Sequence, residues 1–171
     1  MSAQLKYRHR SKPEVSRAAS AEHPGVIAPA PILYAMAFVI GVFLHGLFPK
    51  PILPLDIAPP TAVSLLAFGA TLAVWSRRTL QSAGTNTDPS LPATVLVITG
   101  PYAASRNPMY MARTCLYIGF GLLVNALGTM VMLVPLLLVM HFGVIKPEER
   151  YLEAKFGEAY RQYRSRVRRW L

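Results

Sequence analysis

Four stretches of this chain, about Val26–Phe48, Thr61–Trp75, Met109–Leu123 and Thr129–Ile145, are almost wholly apolar. A stretch of about 20 such residues crosses the hydrocarbon core of a bilayer as a helix. Within that core every backbone N–H and C=O must find a partner inside its own segment or in a closed barrel. The runs are too long and too uniformly apolar for barrel strands. The expected fold is therefore all-α, a polytopic membrane bundle of about four transmembrane helices. Composition agrees: 53% of the residues are hydrophobic and 15% charged, outside the range of ordinary soluble domains.

Proline and charge punctuate the runs. Pro29, Pro31 and His45 interrupt the first, and the proline-rich stretch from Pro49 to Pro60 reads as a turn or short re-entrant segment. Arg77 and Arg78 are expected to close the second helix behind Trp75, a residue suited to the interface. A long connection from Ser76 to Pro108 follows, holding Ser82-Ala83-Gly84-Thr85-Asn86-Thr87-Asp88-Pro89 and the apolar tetrad Val95-Leu96-Val97-Ile98. A connection of that length in a small protein points to function. Asn125 to Gly128 predicts a tight turn between the third and fourth helices, and Pro135 a kink in the fourth. Beyond Pro147, Leu152, Phe156, Tyr160, Tyr163 and Val167 recur at helical spacing, which predicts an amphipathic C-terminal helix over about 148–169.

Residues 1–25 are polar and carry Lys6, Arg8, Arg10, Lys12 and Arg17; they read as a basic cytoplasmic tail ahead of a single membrane-embedded domain, 26–171. Four spans put both termini on one side, and of 18 Lys and Arg only Lys50 falls in the opposite loops. The positive-inside rule makes that side cytoplasmic, so the chain is expected in a bacterial inner membrane. The net charge of +10 resides at the ends and beside apolar segments, with no nucleic-acid motif. Anionic lipid headgroups, not nucleic acid, are the expected partners. Cys115 lies inside an apolar run and reads as a small buried hydrophobe, and no metal site is expected.

Two polar clusters sit at the cytoplasmic ends of helices. In Arg106-Asn107-Pro108-Met109-Tyr110, proline presets the first helical turn and leaves free backbone N–H groups there, which suit a carboxylate or phosphate. The plainer reading is a helix start with Arg106 snorkelling to headgroups. Glu148 and Glu149 either are solvated charges at the membrane edge or lie within a helix that continues past Pro147. In that second case they diverge by about 100°, so that one faces the bundle and the other pairs with Arg150. His141 is either a base or hydrogen-bond partner for a substrate or a packed interface histidine, and His45 has the same structural alternative.

Leu96-Val97, Gly100-Pro101-Tyr102, Arg106-Asn107-Pro108-Met109-Tyr110, a helical hairpin, Glu148-Glu149-Arg150, Phe156-Gly157-Glu158, Tyr160, Tyr163 and Val167 occur in this order. Over about residues 94–169 this resembles the isoprenylcysteine carboxyl methyltransferase family. The resemblance implies a membrane enzyme using S-adenosyl-L-methionine on the cytosolic side. Its cofactor contacts carry over to Thr94, Val95, Leu96, Val97, Tyr102, Asn107, Pro108, Met109, Tyr110 and Glu148. The acceptor is expected to be lipophilic or a small molecule, methylated on oxygen, nitrogen or sulfur. Two positions depart from the family pattern: Asn107 replaces the usual histidine, and Val144 stands where prenylcysteine enzymes carry a carboxylate-binding arginine. Two other readings are an NADPH-dependent membrane reductase akin to sterol reductases and a non-enzymatic lipid-binding membrane protein.

Overall fold

Prolines start three of the helices. In the computed structural model, which describes residues 25–86 and 91–170, α1 (Ala30–Leu47) opens with Pro31, α2 (Ala58–Ser82) with Pro59 and Pro60, and α3 (Pro108–Leu123) with Pro108. At these positions the missing N–H would have no helical partner anyway. After α4 (Leu127–Met140) the backbone passes without a break through a π-helical turn, His141–Ile145, into α5 (Lys146–Phe156); α6 (Glu158–Arg166) follows. Among the described residues there is no strand. The basic tail expected over 1–25 lies almost wholly outside the described residues, as do Thr87, Asp88 and Pro89.

Three helices are long and apolar enough to cross a membrane: α1, α2 and the continuous Leu127–Phe156 rod. The chain is an integral membrane protein. At 1.5 Å per residue the 30-residue rod is about 45 Å long, so its α5 end projects past a hydrocarbon core about 30 Å thick. α3, with 16 residues, is shorter than α1, α2 and the rod.

Close packing comes from glycine. Gly128 of α4 rests on the Gly41 carbonyl of α1, and a methyl group at Gly41 would stand 2.6 Å from the Thr129 Cα. Gly69 of α2 abuts the Ala112 carbonyl, while Gly119 of α3 receives Leu66. These contacts produce two intimate pairs, α1 with α4 and α2 with α3, as small residues do in membrane bundles. The pairs meet in a core of Tyr34, Ala37, Tyr110, Tyr117, Leu136, Met140, Val144 and Ile145.

Several boundaries differ from expectation. α2 does not close at Trp75; it runs on through the exposed Arg77 and Arg78 to Ser82. Arginine is a good helix former, and the helix stops where Gly84 takes φ +73°. There the Gly84 N–H donates to Gln81 O and the Thr85 N–H to Leu80 O, the paired closing bonds of a glycine C-cap. The fourth helix continues past Ile145. Pro147 cannot donate to Gly143 O, four residues back, and the backbone there loosens into the π turn. The freed Gly143 carbonyl accepts the Ile27 N–H at 3.1 Å, which ties the segment ahead of α1 to the rod. The C-terminal amphipathic helix is two elements: residues 148–156 belong to the rod, and Gly157, at φ +54°, breaks the chain before α6.

The turn between α3 and α4 centres on Asn125, whose φ of +46° is a left-handed conformation. Its Oδ1 accepts N–H groups of Ile52 and Leu53, at 2.8 and 3.1 Å, and its Nδ2 donates to Leu53 O at 2.8 Å. One side chain thus fastens the proline-rich loop across the bundle end. Asn125→Ala is expected to destabilise the protein by about 2–3 kcal/mol, combining lost hydrogen bonds with a left-handed alanine. Asn125→Gly should cost less, since only the bonds are lost. Unfolding in mixed detergent micelles reads both, and equal losses would contradict the backbone part of the account.

Candidate cofactor cleft

The connection between α2 and α3 folds onto α5. The Thr94 N–H donates to Thr85 Oγ1 and the Thr94 hydroxyl to Gly84 O, closing a small loop; the Ala93 N–H then donates to the Tyr151 hydroxyl of α5 at 3.2 Å. Farther on, a short 3₁₀ turn, Gly100–Ala103, presents Tyr102, and the Tyr163 hydroxyl of α6 donates to the Tyr102 carbonyl at 2.7 Å. The chain's last described residues form a strap across the start of α3. The Arg106 N–H donates to Arg168 O, while the Ser105 hydroxyl and the Asn107 amide both donate to Arg169 O.

Between these pieces lies a cleft. Its apolar wall is built from Leu80, Leu91, Val95, Leu96, Val97 and Leu152, and its rings are Tyr102, Tyr110, Tyr151, Tyr160 and Tyr163. Arg106, Arg113, Glu148 and Glu149 supply charge, and Asn107, Pro108 and Met109 complete the α3 end. Nine of the ten positions named as cofactor contacts thus surround one space; Thr94 does not line it, its hydroxyl being engaged by Gly84.

The two glutamates divide the work differently from expectation. Glu148 accepts the Tyr110 hydroxyl at 2.6 Å. Glu149 turns inward as well, not toward the exposed Arg150. It accepts two hydrogen bonds from Arg169, at 3.0 and 2.6 Å, and lies 3.2 Å from Arg106 Nη1. Arg106 does not snorkel: its side chain is 9% exposed. Its Nη1 is near enough to Glu149 for an ion pair but not aligned as a hydrogen bond, and Nε and Nη1 are both buried without a hydrogen-bond partner among the described residues. Hydrogen bonding to Glu149 raises the pKa of Arg169 further, so the strap carries a fixed positive charge.

Burial, with the charge of Glu148 second, pushes the Tyr102 phenol well above its ordinary pKa; burial likewise raises Tyr163. Burial, then Glu149, pushes Tyr160 up to about 12 against the opposing charge of Arg106. These phenols stay protonated at neutral pH and act as donors and apolar walls, not as bases.

His141 does not line the cleft. It sits in the π turn with Nδ1 3.5 Å from Arg169 Nη1 and its ring edge-on to Phe142. Val144 is fully buried in the core, away from the cleft. Sequence reasoning passed over Arg113, Tyr151 and the Arg106–Glu149–Arg169 network. Only the charged residue Arg113, placed inside an apolar run, carried a local signal.

No solved structure matches the chain. An uncharacterized protein of Haemophilus influenzae is 38% identical over 64 residues, which is 37% of this chain and the whole of that protein. Residues 59–159, from the first turn of α2 into α6 and including every cleft residue but Tyr160 and Tyr163, match the family described as phospholipid methyltransferase. With more than half of its length matched, this chain belongs to the phospholipid methyltransferase family, a group of membrane methyltransferases.

Proposed function

We propose that the protein is an S-adenosylmethionine-dependent methyltransferase acting on a lipophilic acceptor at the cytoplasmic face of an inner membrane. The observation that carries this reading is the make-up of the cleft. Its aliphatic wall suits an adenine ring, and its tyrosines suit a sulfonium cation. Glu148 is placed to bind an ammonium or ribose hydroxyls, and the unpartnered N–H groups of Arg106 suit a carboxylate. The adenine, the sulfonium and the carboxylate of the cofactor thus each have a chemical counterpart, as does either its ammonium or its ribose. When bound, the group supplies an electrophilic methyl on positively charged sulfur. The chain's own residues then position and enclose: the strap and α6 cover the α3 end, and the Tyr110–Glu148 bond fixes the carboxylate. Orienting the reactants in this way is a large part of such catalysis.

In this reading α3 is the fourth span, both termini are cytoplasmic, and α6 rests at the membrane surface with Arg161, Arg164 and Arg166 outward and Tyr160 and Tyr163 inward. The finer likeness to isoprenylcysteine carboxyl methyltransferases is consistent with Glu148-Glu149 and Arg106 meeting at one cleft.

Calorimetry on detergent-purified protein tests the proposal. S-adenosylhomocysteine should bind with one-to-one stoichiometry, and NADPH should not compete. Heat from NADPH alone, with none from S-adenosylhomocysteine, would transfer the protein to a reductase chemistry. Tyr110→Phe, which removes only the hydroxyl on Glu148, should weaken S-adenosylhomocysteine about three- to tenfold, less than losing the carboxylate itself, because Glu148 keeps its charge and loses only the bond that orients it. Unchanged affinity would detach Tyr110 from the site.

A further inference from the structure

We propose that Arg113 is the subsite for an anionic headgroup on a long-chain amphiphile, the part of the methyl acceptor that the cleft recognises. The inference rests on the methyltransferase reading above.

Arg113 is five residues into α3, so its Cα is about 7.5 Å deeper along the helix than the Pro108 start. A charge within an apolar helix is costly and calls for a partner. Side chains on a helix lean toward its N-terminus, and that is where Arg113 goes: its guanidinium stands 5.4 Å from the centre of the Tyr110 ring and lines the cleft. A cation over a ring face recovers part of the lost hydration and leaves its N–H donors free.

The charges around it are unevenly distributed. Arg106 and Arg169 share Glu149, while Glu148 is turned to the Tyr110 hydroxyl. Among the described residues Arg113 has neither an ion pair nor a hydrogen bond, although it is half-buried. Its charge nonetheless reaches the cleft, where it opposes the effect of Glu148 on Tyr102. The cleft therefore presents a fork of N–H donors more than one helical turn inside the apolar α3. A planar guanidinium binds a carboxylate or phosphate through two parallel bonds. An amphiphile with an anionic head fits this place; a cationic or headless one does not.

The test uses full-length protein saturated with S-adenosylhomocysteine in maltoside micelles, titrated with dodecyl phosphate, laurate, sodium phosphate and dodecyltrimethylammonium. Wild-type protein should bind dodecyl phosphate or laurate saturably, and neither sodium phosphate nor the cationic amphiphile. Arg113→Gln should weaken the anionic amphiphile about tenfold or more and Arg113→Lys less. Undiminished binding by folded Arg113→Gln overturns the assignment and leaves Arg113 a side chain snorkelling over Tyr110. Equal binding of sodium phosphate overturns the lipid part, and equal binding of dodecyltrimethylammonium overturns the charge selectivity without any variant. If S-adenosylhomocysteine fails to bind wild type, the methyltransferase reading falls, and the same titrations on unliganded protein still decide Arg113.

Discussion

Glu149→Ala is expected to destabilise the protein by about 3–5 kcal/mol, the usual result of removing one partner from a buried ion pair. Glu149 is the only carboxylate within ion-pairing reach of Arg106 and Arg169 among the described residues. The Arg106 side chain is 9% exposed, so water cannot restore what the carboxylate supplied. Arg169, 24% exposed, can turn outward, and its loss in Arg169→Ala should cost about 1 kcal/mol after solvent screening. The two effects should also be coupled: with Glu149 gone, removing Arg169 should change little more. Unfolding in mixed micelles measures the cycle. A loss below about 1 kcal/mol in Glu149→Ala would mean that Arg106 is solvated and the strap is held by its backbone bonds alone.

That network shows what a linear reading misses. Arg106, Glu149 and Arg169 are separated by 43 and 20 positions, and each looks locally like a surface charge beside an apolar run. What buries them is the return of the chain after Gly157, which lays the strap over the α3 start. The helical periodicity of Leu152, Phe156, Tyr160, Tyr163 and Val167 is present in sequence, but it spans a glycine at positive φ. The periodicity therefore predicts one helix where the backbone makes two. The π turn has a similar origin. Pro147 signals a helix end in isolation, yet Ile27, 120 positions away, takes up the carbonyl that proline leaves free, and the rod continues.

Other features were legible because their causes are local. Apolar runs of spanning length must be helical in lipid, and α3 starts at Pro108, one residue ahead of the expected Met109. The end of α2 was also encoded, in Gly84, but two arginines drew the boundary too early. At the cleft, residues from two regions about 40 positions apart were gathered by family likeness, not by periodicity. Their meeting depends on the projecting end of the rod, which a 17-residue fourth helix would not have provided. Thr94 shows the limit of that likeness: its neighbours reach the cleft, while its own polar atoms serve the turn at Gly84 and Thr85.

Glu148→Ala is expected to weaken S-adenosylhomocysteine by about 10- to 100-fold, the 1.5–3 kcal/mol typical of a hydrogen bond to a charged group. Unlike Glu149, Glu148 lies within ion-pair distance of no cation among the described residues; its one hydrogen bond in the structure is from Tyr110. A carboxylate held by a phenol at a cleft wall, with acceptor capacity remaining, is organised for binding more than for holding the fold. Its removal should thus lower stability by only about 1–2 kcal/mol, mostly through the orphaned Tyr110 hydroxyl. Glu148→Gln separates the two contributions: it still accepts from Tyr110, so stability should return toward wild type, while the lost charge keeps the affinity low. Calorimetry and thermal unfolding on the same samples give both numbers. If Glu148→Gln recovered affinity along with stability, the carboxylate would be a structural anchor for Tyr110, and the ammonium or ribose contact would have to be sought elsewhere in the cleft.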